Sequence, residues 1–203
     1  LVGDSLGSVL YNYNTTRKVT LNTMIEHSKS VKLGVQKSLM VVDMPYNTYR
    51  NSKEALKNAK LILKKTECDG LKLEGGNKII KIIKSTNCDA LKLEGGKKII
   101  NIVKYLIKKN IQIMGHIGLL PQSEKGKFKF KGRNVTERKR IMEDARLLSN
   151  AGVFAIVVEC VEESLAKIIS KSIHIPTIGI GASKYCDGQI LVTDDLLGLS
   201  NFT

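Results

Sequence analysis

Four acidic residues in this chain each follow a short apolar run. They are Asp4, Asp43, Glu94 and Glu159, and Glu74 stands in a near copy of the segment that contains Glu94. Clustered carboxylates repel one another unless protons or a cation intervene. Without a Cys or His ligand set, carboxylate oxygens favour a hard divalent ion, Mg2+ before Zn2+. The acidic residues therefore predict a magnesium site.

A lysine and a histidine occupy comparable positions in the sequence. The lysine is Lys92, or Lys72 in the near copy, and the histidine is His116. A metal, a lysine and one spare carboxylate suit removal of a proton next to a carbonyl group, since they polarise the oxygen, neutralise a substrate anion and accept the proton. One strand-end acid alone is more simply explained as a helix cap or a loop hydrogen-bond partner. Four together favour a catalytic site.

The apolar runs that precede these residues have the length and the glycine boundaries of buried parallel strands. The runs are 1–5, 39–43, 71–76, 91–96, 111–116, 155–159 and 178–181. When several parallel strands end in polar residues, those residues gather on one rim of a sheet or barrel. That rim is where (β/α)-barrel enzymes have their active sites.

Amphipathic helices separate the apolar runs. The predicted helices cover 21–32 after Thr20, 53–65 after Ser52, 97–109, 136–150 and 162–171. The second of these is expected to bury Ala55, Leu56, Ala59 and Leu63. Alternation of strand and helix predicts the α/β class, with a parallel sheet and right-handed crossovers. The Lys- and Gly-rich stretch 122–135 is predicted to be a mobile loop over the rim.

Composition limits the function classes. The 203 residues indicate one domain, an incomplete barrel by length, since complete (β/α)8 barrels have about 250 residues. The net charge is +14, from 27 Lys and six Arg against 19 acidic residues, with 5% aromatics and no Trp. Nucleic-acid readout favours Arg and aromatic side chains. We therefore expect a solvated lysine-rich surface that attracts small anions, and no nucleic-acid partner.

The lengths of the apolar stretches and the spacing of the cysteines indicate where the protein resides. No apolar stretch approaches the ~20 residues that span a bilayer, so no membrane association is expected. The four cysteines follow no metal-binding spacing, which favours free thiols in a reducing compartment. A cytoplasmic location is the expectation, although the chain begins at Leu1 without Met and an organellar signal could precede it.

One segment occurs twice. Residues 64–83 recur as 84–103, and we call them the first and the second copy. Two copies are too few for a solenoid, so a local tandem duplication is the better interpretation. Two arrangements remain open. In the favoured one, 64–88 bulges out and Lys92 with Glu94 occupies the site. In the other, both copies enter the sheet.

Seven motifs together resemble one family. In chain order they are VGDSLG at 2–7, VDMP at 42–45, LKLEGG at 91–96, GHIGLLPQS at 115–123, VECV at 158–161, IGIGA at 178–182 and DGQILV at 187–192. The chain is similar over nearly its whole length to ketopantoate hydroxymethyltransferases. The motifs occur in the family's order, which makes the combination specific.

The resemblance implies a (β/α)8 barrel that binds Mg2+ and two small molecules. These are 3-methyl-2-oxobutanoate and 5,10-methylenetetrahydrofolate, the donor of the hydroxymethyl group. The product would be 2-dehydropantoate, formed through an enolate that Mg2+ stabilises, in pantothenate and coenzyme A biosynthesis. The resemblance also implies a large homo-oligomer, a decamer in the family.

The resemblance assigns metal ligands and a base. Asp4 and Asp43 would hold Mg2+, with Glu94 (or Glu74) near it directly or through water. Glu159 would be the proton acceptor at C3 of the keto acid.

The resemblance also assigns a substrate pocket. The residues implied to contact the keto acid are Asp4, Ser5, Asp43 and Lys92 (or Lys72), and His116 is implied to line the pocket.

Against the family pattern, the chain is expected to lack a first strand with its helix and the helices beyond Thr203. Two alternatives follow. One is a degenerate, non-catalytic remnant of this enzyme. The other is another Mg-dependent enolate-forming barrel of the phosphoenolpyruvate mutase and isocitrate lyase group, but no reactive Cys loop of that group is visible here.

Overall fold

The computed structural model describes residues 1–73, 90–120 and 130–199. The chain divides into two compact units, Leu1–Cys88 and Asp89–Thr203. Within the described ranges, no helix combines the length and apolar composition that crossing a bilayer requires.

The first unit alternates helices and short strands. Its elements are α1 (Leu6–Val9), a 3-10 turn (Thr16–Lys18), α2 (Leu21–Gly34), β1 (Val41–Asp43), α3 (Ser52–Thr66) and β2 (Gly70–Lys72). β1 and β2 are parallel, with Asp43 opposite Lys72. The predicted N-terminal strand is reduced to a single parallel bridge between Val2 and Val42.

The helices of the first unit begin at side-chain caps. Thr20 accepts a hydrogen bond from the Thr23 amide, as its predicted role requires. α3 begins one residue earlier than expected, because Asn51 caps it by accepting from the Glu54 amide.

The buried face of α3 differs from the prediction. Ala55 and Ile62 are fully buried, whereas Leu63 is 40% exposed. Positions 55, 59 and 62 lie on one face of a helix, and 63 lies about a quarter-turn away from that line. The expectation that Leu63 is buried was therefore wrong. The core of this unit includes Met24, Met40, Val42 and Met44.

The second unit contains a parallel sheet of five strands. Its elements are β3 (Ala90–Glu94), a 3-10 turn (Lys97–Ile99), α4 (Ile100–Ile107), β4 (Gln112–Gly118), α5 (Val135–Ala151), β5 (Ala155–Glu159), α6 (Glu163–Ser172), β6 (Thr177–Ile180), β7 (Gly188–Gln189) and α7 (Thr193–Leu196). The strands follow one another in chain order across the sheet, and all pairings are parallel.

The central strands of this sheet are buried on both faces. Ile156, Val157 and Val158 of β5 are each at most 2% exposed, which explains their uninterrupted apolar run. Leu148 of α5 is also fully buried. Gly152 ends α5 in the left-handed conformation, with φ of 91°. Strands and helices alternate along the chain and the strands pair in parallel, as predicted. The α/β class is therefore confirmed.

Both copies of the duplicated segment contribute a strand. Residues 70–72 of the first copy pair with β1, and residues 90–94 of the second copy pair with β4. The expected outward bulge is therefore wrong for residues 70–72. The rest of that prediction falls largely on residues 74–89, which lie outside the described residues.

Candidate active site

A cluster of two carboxylates and one ammonium group lies in the first unit. Asp4 and Asp43 are 4% and 2% exposed. The Asp4 amide donates to Oδ2 of Asp43 over 3.0 Å. The Lys72 Nζ lies 2.7 Å from the same oxygen. We call these three residues the aspartate cluster.

Local backbone structure holds the aspartate cluster together. The Val2 amide donates to the Val41 carbonyl, and the Asp43 amide donates to the Val2 carbonyl. The chain then turns into α1 at Ser5. These bonds bring Asp4 to the carboxyl end of β1. The parallel register places Lys72 beside Asp43 from the other side.

The donor set of the aspartate cluster fits Mg2+. Asp4 and Asp43 supply two buried carboxylates, and the Lys72 ammonium lies against one of them. Carboxylate oxygens are the donors that a hard divalent ion prefers. Among the described residues, no group of three or more His, Cys, Asp or Glu side chains is arranged to hold a metal. Two aspartates therefore leave most coordination positions to water or substrate, as Mg2+ sites usually do.

A histidine flanked by two glutamates lies in the second unit. Nε2 of His116 is 3.1 Å from Oε2 of Glu159, and Nδ1 is 3.6 Å from Oε1 of Glu94. The side-chain exposures are 0% for His116, 7% for Glu94 and 16% for Glu159. We call these three residues the histidine cluster. Its most accessible member is Glu159.

Sheet register builds the histidine cluster. Glu94 of β3 is opposite His116 of β4, and Gly118 of β4 is opposite Glu159 of β5. Three neighbouring strands thus deliver their polar residues at the same end of the sheet, as predicted. A neutral imidazole can donate to one carboxylate, whereas an imidazolium can donate to both. The cluster can therefore hold or pass a proton.

Gly118 lets the backbones of β4 and β5 approach closely at this end of the sheet. Its φ is +92°, and a Cβ there would lie 2.3 Å from the Glu159 carbonyl oxygen. That oxygen accepts from the Leu119 amide. A side chain at 118 would therefore displace the backbone that carries the Glu159 carboxylate.

Cys160 is not a candidate nucleophile. Burial raises the pKa of its thiol to about 11, and the neighbouring Glu159 charge adds to that shift. A thiol with a pKa this high is protonated at neutral pH and reacts poorly. The described cysteines, Cys68, Cys160 and Cys186, are free, and Cys88 lies outside the described residues.

The structure distributes the sequence-predicted residues over these clusters. Asp4, Asp43 and Lys72 meet in one, and Glu94, His116 and Glu159 meet in the other. Ser5 is exposed at the start of α1.

Lys92 of the second copy stands opposite Met114. Glu74 lies outside the described residues, as do Lys125, Lys127 and Lys129 of the predicted mobile loop.

Two features of the site were missed or undervalued from the sequence. The sequence predicts His116 in the pocket but not its position between two glutamates, and it favours Lys92 over Lys72. Both depend on which residues stand opposite one another across a parallel pairing. The sequence signal that could have indicated Lys72 is its place in an apolar run directly after α3.

The whole chain is similar to proteins of one family. The family model for ketopantoate hydroxymethyltransferase matches residues 1–86 and, separately, 77–203. Residues 77–86 are matched twice, as a tandem duplication would produce.

Curated relatives align along nearly the whole chain. A 3-methyl-2-oxobutanoate hydroxymethyltransferase of Pelagibacter ubique is 62% identical over 98% of this chain and 70% of its own length. One of Rhizobium etli is 45% identical over 99% of this chain and 67% of its own length. Among solved structures, the YdjI aldolase of Escherichia coli covers 88% of this chain and 72% of its own with a TM-score of 0.49 and 12% identity. That likeness is too weak to support a conclusion.

The sequence matches, unlike the structural likeness, identify the family of this chain. They extend over both units and include the motifs that carry Asp4, Asp43, Glu94 and Glu159. The parallel strands of both units agree with the (β/α)-barrel class of the family. The chain belongs to the ketopantoate hydroxymethyltransferase family.

Proposed function

We propose that this protein transfers a hydroxymethyl group to 3-methyl-2-oxobutanoate and yields 2-dehydropantoate. Family membership is the observation that carries the proposal, and the chemistry of the two clusters supports it. We further propose 5,10-methylenetetrahydrofolate as the donor and Mg2+ as the metal.

The aspartate cluster binds the keto acid in this proposal. Asp4 and Asp43 would hold Mg2+, whose positive charge would polarise the keto oxygen of the substrate. Lys72 adds an ammonium group beside Asp43. An ammonium at this position attracts the carboxylate of the keto acid. Ser5, exposed next to Asp4, supplies a hydroxyl donor for the same anion.

Glu159 removes the proton from C3 of the keto acid. It is the most accessible carboxylate of the histidine cluster, and it stands at a strand end. The C3–H bond breaks, the proton goes to Glu159, and the electron pair is delocalised towards the keto oxygen.

His116 orients the Glu159 carboxylate through its contact with Oε2. When protonated, His116 also places a positive charge beside the Glu159 carboxylate. Glu94 contacts the opposite nitrogen of the ring. The imidazole therefore lies between two carboxylates on neighbouring strands.

Carbon–carbon bond formation follows proton removal. Water adds to the methylene carbon of the folate donor, both carbon–nitrogen bonds of that carbon break, and formaldehyde and tetrahydrofolate are released. The C3 electron pair then adds to the carbonyl carbon of formaldehyde. The alkoxide that forms takes the proton back from Glu159 and becomes the hydroxymethyl group. The overall reaction thus consumes one water and no oxidant.

Assembly is the remaining part of this proposal. We propose a homo-oligomer, a decamer if this chain follows the family. Sedimentation velocity measures the assembly directly, and a monomer at micromolar concentration would contradict it.

Deuterium exchange at C3 of 3-methyl-2-oxobutanoate tests the first chemical step alone. We expect Mg2+-dependent exchange followed by NMR, without folate, because proton removal precedes transfer. A folded sample that binds the keto acid but exchanges no deuterium with Mg2+ present would overturn the proposed activity. Added 5,10-methylenetetrahydrofolate should then convert the exchanged substrate to product.

A further inference from the structure

We propose that Asp144 of α5 is a positioning residue for the proton-transfer step. Its carboxylate fixes the turn that follows Glu94, and that turn sets the distance between Glu94 and His116. The inference rests on the proposed function for the role of the histidine cluster. The placement of Asp144 rests on contacts within the second unit alone.

The turn after Glu94 is held by hydrogen bonds to two different elements. The Gly95 amide donates to the His116 carbonyl over 2.9 Å, which ties the turn to β4. The Lys97 amide donates to Oδ1 of Asp144 over 2.7 Å, which ties the turn to α5. Because Glu94 directly precedes this turn, a shift of its backbone away from β4 would strain these bonds.

Gly96 lets the Asp144 carboxylate reach the turn. A Cβ at position 96 would overlap the carboxyl group of Asp144. The carboxylate therefore occupies the space that the side chain of any other residue at 96 would fill. The second glycine after Glu94 is thus explained by close contact with a side chain of α5.

The same face of α5 also supports β4 beside His116. Leu148 lies one helical turn after Asp144 and is fully buried. Its Cδ1 lies 3.0 Å from the place that a Cβ at Gly115 would take, and Gly115 directly precedes His116. One helix face therefore contacts β4 directly and β3 through its turn. These two strands carry the imidazole and its partner carboxylate, so α5 sets their spacing.

The charge of Asp144 does not stabilise the fold. Burial raises the pKa of Asp144, because desolvation disfavours the charged form, and this effect exceeds the lowering by the Lys97 amide. A carboxyl group whose pKa is raised in the folded chain reduces stability once the pH exceeds its unfolded value. An asparagine would keep the acceptor for the Lys97 amide without this cost. The contact can therefore be tested separately from the charge.

The preceding residue of α5 provides a matched control. Oε1 of Glu143 lies 3.1 Å from Nζ of Lys97, and both side chains are more than half exposed. Glu143→Ala and Asp144→Ala therefore each remove one carboxylate that contacts Lys97. Only the Asp144 contact involves the backbone of Lys97, so only its loss should release the turn.

Exchange at C3 of the keto acid measures the effect on proton transfer. We expect Asp144→Ala to lower the maximal rate of Mg2+-dependent exchange about 10-fold, within the loss that a small displacement of a catalytic group causes. The keto-acid concentration at half-maximal rate should change less than about 2-fold. Glu143→Ala should exchange like the wild type. A wild-type rate in Asp144→Ala, or equal losses in the two alanine variants, would overturn the inference.

The imidazole of His116 supplies a readout that does not depend on catalysis. The chain has three histidines, so its ring NMR signals are few, and His116→Gln assigns the relevant one. We expect Asp144→Ala to shift the His116 ring signal, and Glu143→Ala to leave it in place. If the wild type exchanges no deuterium but Asp144→Ala alone shifts this signal, the proposed function fails while the placement of the cluster by Asp144 stands. An unchanged His116 signal in Asp144→Ala would overturn the inference.

Two further substitutions at Asp144 decide the case in which Asp144→Ala does not fold. Asp144→Asn keeps an acceptor for the Lys97 amide and should retain most of the C3 exchange rate. Asp144→Glu keeps the charge, but its longer side chain does not fit against Gly96, so it should lose exchange and shift the His116 signal. Wild-type exchange in Asp144→Glu, or loss of exchange in Asp144→Asn, would show that charge and not position matters and would overturn the inference.

Discussion

Each of the two clusters contains two carboxylates and one side chain with a titratable nitrogen, but these side chains differ. In the aspartate cluster the side chain is a lysine, 2.7 Å from Asp43. In the histidine cluster it is an imidazole, 3.1 Å from Glu159. A lysine ammonium stays charged near neutral pH, whereas a histidine can gain or lose a proton there. The first cluster is therefore suited to binding ions and the second to moving protons.

The strands that carry the two clusters also differ. The aspartate cluster lies on two paired strands and one isolated bridge. The histidine cluster lies on the first three strands of a five-stranded parallel sheet. A proton acceptor must be placed to within a fraction of an ångström, and rigid elements achieve this best. Ion binding tolerates more adjustment, because water can complete the shell.

Glu159→Gln tests this comparison with the largest expected effect. The amide keeps the size of the side chain and cannot accept the C3 proton. We expect C3 exchange and product formation to fall about 1000-fold, within the range of general base catalysis. Binding of the keto acid, measured calorimetrically, should change little.

Glu163→Gln is the control for this variant, since Glu163 is an exposed carboxylate four residues further on. Normal exchange in Glu159→Gln would move the proton acceptor elsewhere. Loss of keto-acid binding would show that the two clusters do not divide binding and proton transfer.

Asp43→Asn should affect the other cluster. It removes the charge that both Lys72 and a bound cation require, so we expect Mn2+ affinity to fall about 100-fold. Exchange at C3 should recover partly when Mg2+ is raised. Isothermal titration calorimetry and the exchange assay measure the two effects.

Asp69→Asn is the matched control for Asp43→Asn. Asp69 accepts from the Met40 amide in the same unit, and the amide oxygen can replace that bond. An unchanged Mn2+ affinity in Asp43→Asn would remove this residue from the metal site.

The sequence predicted most elements of the fold and the strand-end residues. Its limits are physical. The two LKLEGG segments have the same apolar pattern and the same charges, so periodicity cannot decide which strand pairs where. Pairing is a contact between residues far apart in the chain, such as Asp43 and Lys72, and no local pattern encodes it.

The contacts of His116 show the same limit. Its type and its strand end were visible in the sequence, but its two partners follow from the alignment of three strands. The cap of α2 by Thr20 was predictable because it involves neighbours in sequence. A cap between neighbours in sequence is therefore predictable, while the roles of strand-end residues depend on register.

His116→Gln also tests the difference between the two clusters, with a smaller expected effect on C3 exchange. Glutamine can hold the Glu159 carboxylate but cannot carry positive charge. We expect the C3 exchange rate to fall about 30-fold, below the loss for the proton acceptor itself. Mn2+ affinity should stay as in wild type, because the aspartate cluster is unchanged.

The control for His116→Gln is His174→Gln at an exposed position. A fall in Mn2+ affinity without a fall in exchange would assign His116 to metal binding, contrary to the comparison.

Glu162→Gln gives the smallest effect and tests the helix that follows the histidine cluster. Glu162 caps α6 by accepting from the Ser164 and Leu165 amides. Its carboxylate also accepts from the Ser164 hydroxyl and from Arg138, and these bonds lower its pKa to about 2. We expect a loss of about 1 kcal/mol in the free energy of unfolding at pH 7, typical of an N-cap and of a partly exposed ion pair.

The pH dependence of this loss has a definite sign. A lowered folded-state pKa means that the carboxylate contributes its stability above its unfolded value, near 4.5, and loses it as the pH falls towards 2. Urea unfolding at pH 7 and at pH 3 should therefore show a smaller difference between wild type and Glu162→Gln at the lower pH. Glu163→Gln, in the same helical turn, should show little loss at either pH. A difference that grows on acidification would mean that Glu162 is held protonated in the folded chain, and that its contacts do not stabilise the helix after β5.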